Sequence, residues 1–467
     1  MTDTYISNYI SNTDSDIYAI YNLPEEVIAV LFAYYSRSEG SLKENLQKLI
    51  EDEDILTATN FATFANASEK ARKFHEKWVL AYGHSSVAEH CMVHMAVENI
   101  SMLAAKAIED CRLASYTEKS TRYVDYRTAG YVIPPELQGE ALEAYKKHCD
   151  NLFEFYSKAV DSMKAKFLSE GATVQEAKAK ACDVCRNILP ASAKTNLGMT
   201  VNARELAHMI SKLLSNSSKE INEIGEKIKE EALKVCPTLL KYAERSKYLF
   251  YQNSCKNICK NNKDKDITEF AHPQTSVWYM KDGGDYEEYP ITDLTDELTI
   301  QLGTKFPPLY ILSERGPHDS LPRAAEKLIF EGTINIDFGA YRDIQRHRLG
   351  TLISDPISPY EYFVIDEIKQ NENLSNDMQF LINKSKDIYF ELYKINHDCN
   401  ILQYCLPMCF GKNVSFTWNL RELCHFIELR SKPQGHKNYR HVAQELHRQL
   451  KEICPETASL VRCSYEK

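Results

Sequence analysis

Arg346, His347 and Arg348 stand side by side in the stretch IQRHRLG (344–350). Arginine presents planar paired donors that match phosphate or carboxylate, so the triplet reads as part of an anion site. The residues after it, TLISDPISPYEYF, hold few donors to complete such a site. Arg342 lies four residues before Arg346, with Gln345 beside it, and helical spacing predicts both arginines on one face. The plainer alternative is an exposed basic helix end, which the helix dipole favours. Arg430, Lys432, His436, Lys437 and Arg440 form a second basic cluster. The formal net charge is -10, and two such clusters against that background point to an anionic ligand.

Two further stretches carry chemistry-bearing residues. CRLASYTEKSTRYV (111–124) is dense in polar groups. In extended conformation Glu118, Ser120 and Arg122 would point the same way, placing a carboxylate, a hydroxyl and a guanidinium along one edge. A solvated loop is the plain alternative. GHSSVAEH (83–90) contains a capping box from Ser86 to Glu89 and predicts a helix start. His84, just outside it, would face the positive helix N-terminus. His90 and His94, four apart with Glu89 beside them, would share a helical face and could serve a metal-dependent hydrolase. No third ligand is evident, and no metal is assigned.

The elements that must position these groups are mostly helical. LPEEVIAVLFAYYSR (23–37) and SLKENLQKLIEDE (41–53) have amphipathic helical spacing. RYVDYR (122–127), TSVWYM (275–280) and EYFVI (361–365) are strand candidates, so the expected class is α+β. The chain has 467 residues, 43% hydrophobic and 26% charged, which suits a soluble globular protein of two domains. No apolar run spans a membrane, and the acidic balance excludes a broad nucleic-acid surface. The polar N-terminus reads as neither signal nor transit peptide. The 14 cysteines show no disulfide framework. The pairs Cys182/Cys185 and Cys405/Cys409 read as buried thiols of a cytoplasmic protein. No Gly-rich phosphate loop occurs, so side chains must supply most phosphate contacts.

The chain also repeats itself. Leu189-Pro190, NARELAH (202–208) and Cys236-Pro237 return as Leu406-Pro407, NLRELCH (419–425) and Cys454-Pro455, about 217 residues later at each anchor. Further upstream, VENISMLAAKAIEDCR (97–112) aligns with FEGTINIDFGAYRDIQRHR (330–348). We therefore expect an internal duplication: domains at 1–250 and 269–467, joined by a polar Lys/Asn-rich linker at 251–268.

At these residues the sequence resembles the flavin-dependent thymidylate synthases, the ThyX family. The family signature runs Arg-His-Arg-x-x-Ser-x-Asn-Glu-x-Ser-x-Arg-Tyr after a Gly-His-x-Ser-x-x-Glu-His segment. The first half matches GHSSVAEH and the Ser115 to Tyr123 part of the signature, with Asp110-Cys111 replacing Arg-His and Thr117 replacing Asn. The second half has Arg346-His347-Arg348 but lacks the rest. Arg-x-x-Leu-Pro survives as Arg186 to Pro190 in the first half, whereas Gln403 opens the second copy. The late Leu-Arg survives only as Leu429-Arg430.

The resemblance implies two tandem ThyX-like domains, each a mixed sheet with long helices, forming an intrachain pseudo-dimer with one composite site. It implies FAD-dependent methylation of dUMP to dTMP, with methylenetetrahydrofolate and NADPH as co-substrates. Arg346 and Arg430 would be catalytic. Glu118, Ser120, Arg122, Arg186, Arg346 and Arg430 would bind dUMP. His84, Ser86, Glu118, Arg346, His347 and Arg348 would meet FAD, joined by Asn202, Arg204 and His208 or by Asn419, Arg421 and His425. Asp343 stands where the family often has Gln. A homodimer would imitate the family tetramer. A degenerate flavin- or nucleotide-binding homologue without activity is the remaining alternative to the hydrolase.

Overall fold

The computed structural model describes residues 6–14, 20–23, 41–51, 85–254 except 242, and 315–465 except 317–318, 328 and 454. It also describes four positions between 25 and 31 and strands at 268–271, 276–280 and 286–290. The helix expected at 41–53 forms over Leu42–Glu51, while most of 23–37 lies outside the described residues.

After that helix come β1 (Met92–Ser101), α1 (Met102–Glu109), β2 (Ala114–Glu118), α2 (Gly139–Ser169), α3 (Val174–Cys185), β3 (Lys194–Asn202), α4 (Ala203–Leu214) and α5 (Lys219–Val235). Strands β4 (Thr268–Ala271), β5 (Ser276–Met280) and β6 (Tyr286–Pro290) follow. Then come β7 (Ile329–Asp337), α6 (Phe338–Ile344), β8 (Thr351–Ser354), α7 (Glu372–Tyr393), β9 (Gly411–Asn419), α8 (Leu420–Arg430) and α9 (Lys437–Ile453). The class is mixed helix and antiparallel sheet. The first sheet has the order β1-β3-β2, and the second has β4-β7-β9-β8. Strands β1 to β3 thus have the same neighbours as β7 to β9, with β4 added beside β7.

Local sequence explains the matching elements. In β3 and β9 buried and partly exposed residues alternate, as a sheet covered on one face requires. Asn202 ends β3 and caps α4, accepting the Glu205 N–H at 2.9 Å. Asn419 ends β9 and caps α8, accepting the Glu422 N–H at 2.9 Å. The Asn-x-Arg-Glu motif is therefore, first of all, a strand-to-helix junction.

The chain divides into two compact units: Met1–Ile100, Ala107–Lys119 and Thr195–Ser254 make the first, while Ser101–Lys106, Ser120–Lys194 and Cys255–Lys467 make the second. In the first unit α4 and α5 approach closely at Gly225, where a Cβ would stand 2.9 Å from the Leu213 Cβ. The second unit holds a continuous core. Tyr145, Leu152, Tyr156 and Met163 of α2 join Ile382 and Leu392 of α7 and Phe416 and Trp418 of β9. At its centre the two Leu-Pro motifs face each other. The Ala191 N–H donates to the Leu406 carbonyl (2.9 Å), and the Met408 N–H donates to the Leu189 carbonyl (2.8 Å). The pair is reciprocal, like one rung of an antiparallel ladder.

Two strand expectations fail. Residues 122–127 form a turn, and 361–365 contribute only an isolated bridge from Tyr362 to Phe410. TSVWYM does form a strand, β5.

Candidate functional site

The extended run through Glu118 stops with β2. The Ser120 hydroxyl then accepts the Arg122 N–H (3.2 Å), and the Val124 N–H closes on the Ser120 carbonyl (3.1 Å). This local hydroxyl bond competes with the sheet ladder and wins. A turn therefore replaces the expected row of Glu118, Ser120 and Arg122 side chains. Arg122 reaches Asp183 Oδ1 (2.8 Å), the Tyr439 hydroxyl (3.2 Å) and the Gln434 carbonyl (2.7 Å).

Two more arginines converge in the same unit. Arg186 begins a short 3₁₀ turn after α3 and is 2% exposed. Its Nη1 donates to Asp343 Oδ2 at 3.2 Å. Arg430 closes α8; its Nη2 donates to the Asp343 carbonyl (2.7 Å), and its Nη1 lies 3.8 Å from Asp343 Oδ1. The guanidinium lies over the Tyr439 ring, 5.3 Å from its centroid. Burial alone would raise the Asp343 carboxyl, but the charges of Arg186, Arg430, Arg346 and Arg122 hold it well below the ordinary carboxylate range. His436, also buried, is pushed down to about 3 by burial and by Arg186. It stays neutral amid the cations.

His347 positions Arg430. Its Nε2 meets Arg430 Nε at 2.9 Å, and its Nδ1 meets Glu422 Oε1 at 3.0 Å. Arginine can only donate, so Nε2 accepts and the ring proton sits on Nδ1, donating to Glu422. Burial lowers the His347 pKa, with Glu422 opposing, which keeps the ring neutral in this chain of contacts. The Asn419 cap sets Glu422 one turn into α8. Sequence motif, helix start and arginine placement are thus linked.

Helix α6 ends at Ile344, so Arg342 and Arg346 do not share a face. Arg342 turns inward to Thr121 and to the sulfurs of Met102 and Met408. Gln345 donates to the Lys106 carbonyl at 3.1 Å. Arg346 is exposed and Arg348 half-buried. Arg421 is held by Glu326 (2.7 Å) and Ser320 (2.8 Å), and the exposed His425 ring lies 5.5 Å from that of His347.

The other expected residues belong to the first unit. Glu118 is buried at the end of β2, opposite Leu197. Ser86 is exposed in a 3₁₀ turn at Ser85–His90, Arg204 pairs with Glu89, and His208 is exposed. His84 lies outside the described residues. The 3₁₀ turn leads directly into β1, so no helix carries His90 and His94 together; His94 is a strand residue bonded to Thr200 at 2.9 Å. The helical metal pair is therefore corrected. Cys182, Cys185, Cys405 and Cys409 are free and buried. Among the described residues no helix is long and apolar enough to cross a membrane.

Sequence reasoning missed Asp183, Glu422 and Tyr439. Asp183 precedes Arg186 by one helical turn, which was a usable signal. Nothing local announces that Tyr439 meets Arg122.

The family model "Thymidylate synthase complementing protein" matches residues 21–238 and 317–456. A UPF0159 protein of Chlamydia pneumoniae is 31% identical, covering 96% of this chain and 92% of its own length. One of Thermoplasma acidophilum is 25% identical over 85% of this chain and 90% of its own length. A flavin-dependent thymidylate synthase of Clostridium tetani is 30% identical over 38% of this chain and 72% of its own length. With the motif residues placed and the family model matching most of the sequence, the chain belongs to the thymidylate synthase complementing protein family.

Proposed function

We propose that the chain is a flavin-dependent thymidylate synthase that methylates dUMP to dTMP, using methylenetetrahydrofolate and NADPH, at one composite site. The observation that carries this reading is the convergence of Arg122 and Arg186 with Arg430 around Asp343 and Tyr439. These groups come from opposite ends of the sequence, and the matching strand orders and reciprocal Leu-Pro contact support a duplicated chain paired with itself. Two chains would then imitate the family tetramer.

The donor set fits FAD. Arg346 is exposed, and among the described residues it holds no hydrogen bond, which leaves cationic donors for a pyrophosphate. Arg348 is its neighbour, and the His425 ring is open beside that of His347. Bound FAD supplies the redox chemistry. The protein's own side chains bind and orient. Arg122 and Arg186 neutralise the nucleotide phosphate. Arg430, steered by His347 and Glu422, directs its remaining donors at a pyrimidine carbonyl, where negative charge builds as C5 is activated. Hydrogen-bonded on both nitrogens, His347 positions Arg430, and no cysteine or serine nucleophile is needed.

The test is a visible absorbance spectrum of the purified protein, before and after FAD is added, followed by NADPH, methylenetetrahydrofolate and dUMP. A yellow protein that bleaches with NADPH and then forms dTMP supports the proposal. A colourless protein that FAD cannot reconstitute would sink it.

A further inference from the structure

The arginine cluster already holds an anion of its own. Asp343, in the last turn of α6, is 8% exposed and faces both Arg186 and Arg430. One carboxylate serves two guanidiniums, and it serves them incompletely. Among the described residues, Arg186 Nε and Nη2 are buried without a hydrogen bond, although Nε lies 3.9 Å from Asp183. Buried guanidinium donors without partners are costly. Two carboxylate oxygens at the end of a short side chain cannot reach them all. A phosphate offers three oxygens and up to two negative charges.

We propose that Asp343 is an internal stand-in for the ligand's phosphate, and that a phosphate monoester displaces its carboxylate from Arg186 on binding, while Arg430 keeps its bond to the Asp343 carbonyl and serves the pyrimidine. The inference rests on the dUMP reading for the identity of the ligand, but the anion subsite can be tested without it. Asp343 makes the phosphate group a weak contributor to affinity, because each new arginine–phosphate contact replaces an existing arginine–carboxylate contact. It thereby sets how far the site distinguishes a nucleotide from a nucleoside.

The experiment is calorimetric titration of the full chain with dUMP and deoxyuridine, in the wild type and in Asp343→Gln. In the wild type dUMP should bind less than about tenfold more tightly than deoxyuridine. Asp343→Gln should tighten dUMP at least about tenfold and leave deoxyuridine unchanged. Inorganic phosphate alone should raise the melting temperature of Asp343→Gln more than that of the wild type. Equal dUMP affinity in both proteins, or equal stabilisation by phosphate, overturns the proposal. If phosphate selectively stabilises the variant while neither dUMP nor deoxyuridine binds either protein, the anion subsite stands and the synthase reading falls. Should Asp343→Gln fold only in phosphate, that dependence itself supports the stand-in. Should it not fold at all, the wild-type ratio decides, and a ratio above about tenfold overturns the proposal.

Discussion

Arg122 and Arg346 stand more than two hundred positions apart, and the proposed chemistry needs both. Arg122 is fixed by Asp183, Tyr439 and Gln434, whereas Arg346 is exposed beyond the end of α6. A charged hydrogen bond is worth about 1.5–3 kcal/mol. Asp183 already shares Arg122, so Arg122→Ala should weaken dUMP binding by roughly a few-fold, and Arg346→Ala by roughly tenfold or more, read by titration of folded variants. If only one substitution matters, the composite site is wrong. The cationic residues were legible because arginine clusters stand out in an acidic chain. Their orientation was not. Ser120 diverts the chain into a turn, and Arg342 faces sulfur and core instead of sharing a surface with Arg346.

The two Asn-x-Arg-Glu junctions allow an internal comparison between elements. Asn202 and Asn419 make the same cap at the same distance. Replacing either by Ala should cost about 1 kcal/mol of stability, measured by urea unfolding. Only α8 carries Glu422 and Arg430. Asn419→Ala should therefore also lower the dTMP-forming kcat, while Asn202→Ala should leave it near the wild-type value. Equal effects on kcat would remove the link from cap to Glu422 to His347. The recurrence of Leu-Pro and Asn-x-Arg-Glu was legible because a proline and a helix cap are local punctuation that does not depend on the rest of the fold. Strands β3 and β9 escaped notice: their polar residues, such as Thr195, Asn196, Lys412 and Asn413, mask the buried alternation. The His90/His94 expectation failed because a 3₁₀ turn gives way to a strand, and spacing by four has meaning only on a helix.

At the scale of the whole molecule, two buried histidines contribute to the acid response. Burial holds His148 down to about 4 and His436 down to about 3. Both stay neutral when folded, while an unfolded histidine takes up a proton near pH 6.5. Between those values the unfolded chain binds more protons, so stability rises with pH and falls on acidification below about 6.5. Asp343 acts in a different window. Its folded pKa is depressed, so its contribution is present above the ordinary carboxylate value of about 3.9 and is lost only below it. Urea unfolding at pH 7.5 and pH 5 should thus show a clear loss of stability at the lower pH. A flat profile would mean that the two rings are solvated in solution.

The reciprocal hydrogen bonds between Leu189–Ala191 and Leu406–Met408 join two parts of one polypeptide. Contact between separate subunits weakens on dilution by mass action. A contact within a chain is governed instead by a fixed effective concentration set by covalent connection. Whatever becomes of any larger assembly, the meeting of Arg122 and Arg186 with Arg430 does not depend on how much protein is present. Ligand bound per chain at that site should be the same in a nanomolar solution as in a concentrated one.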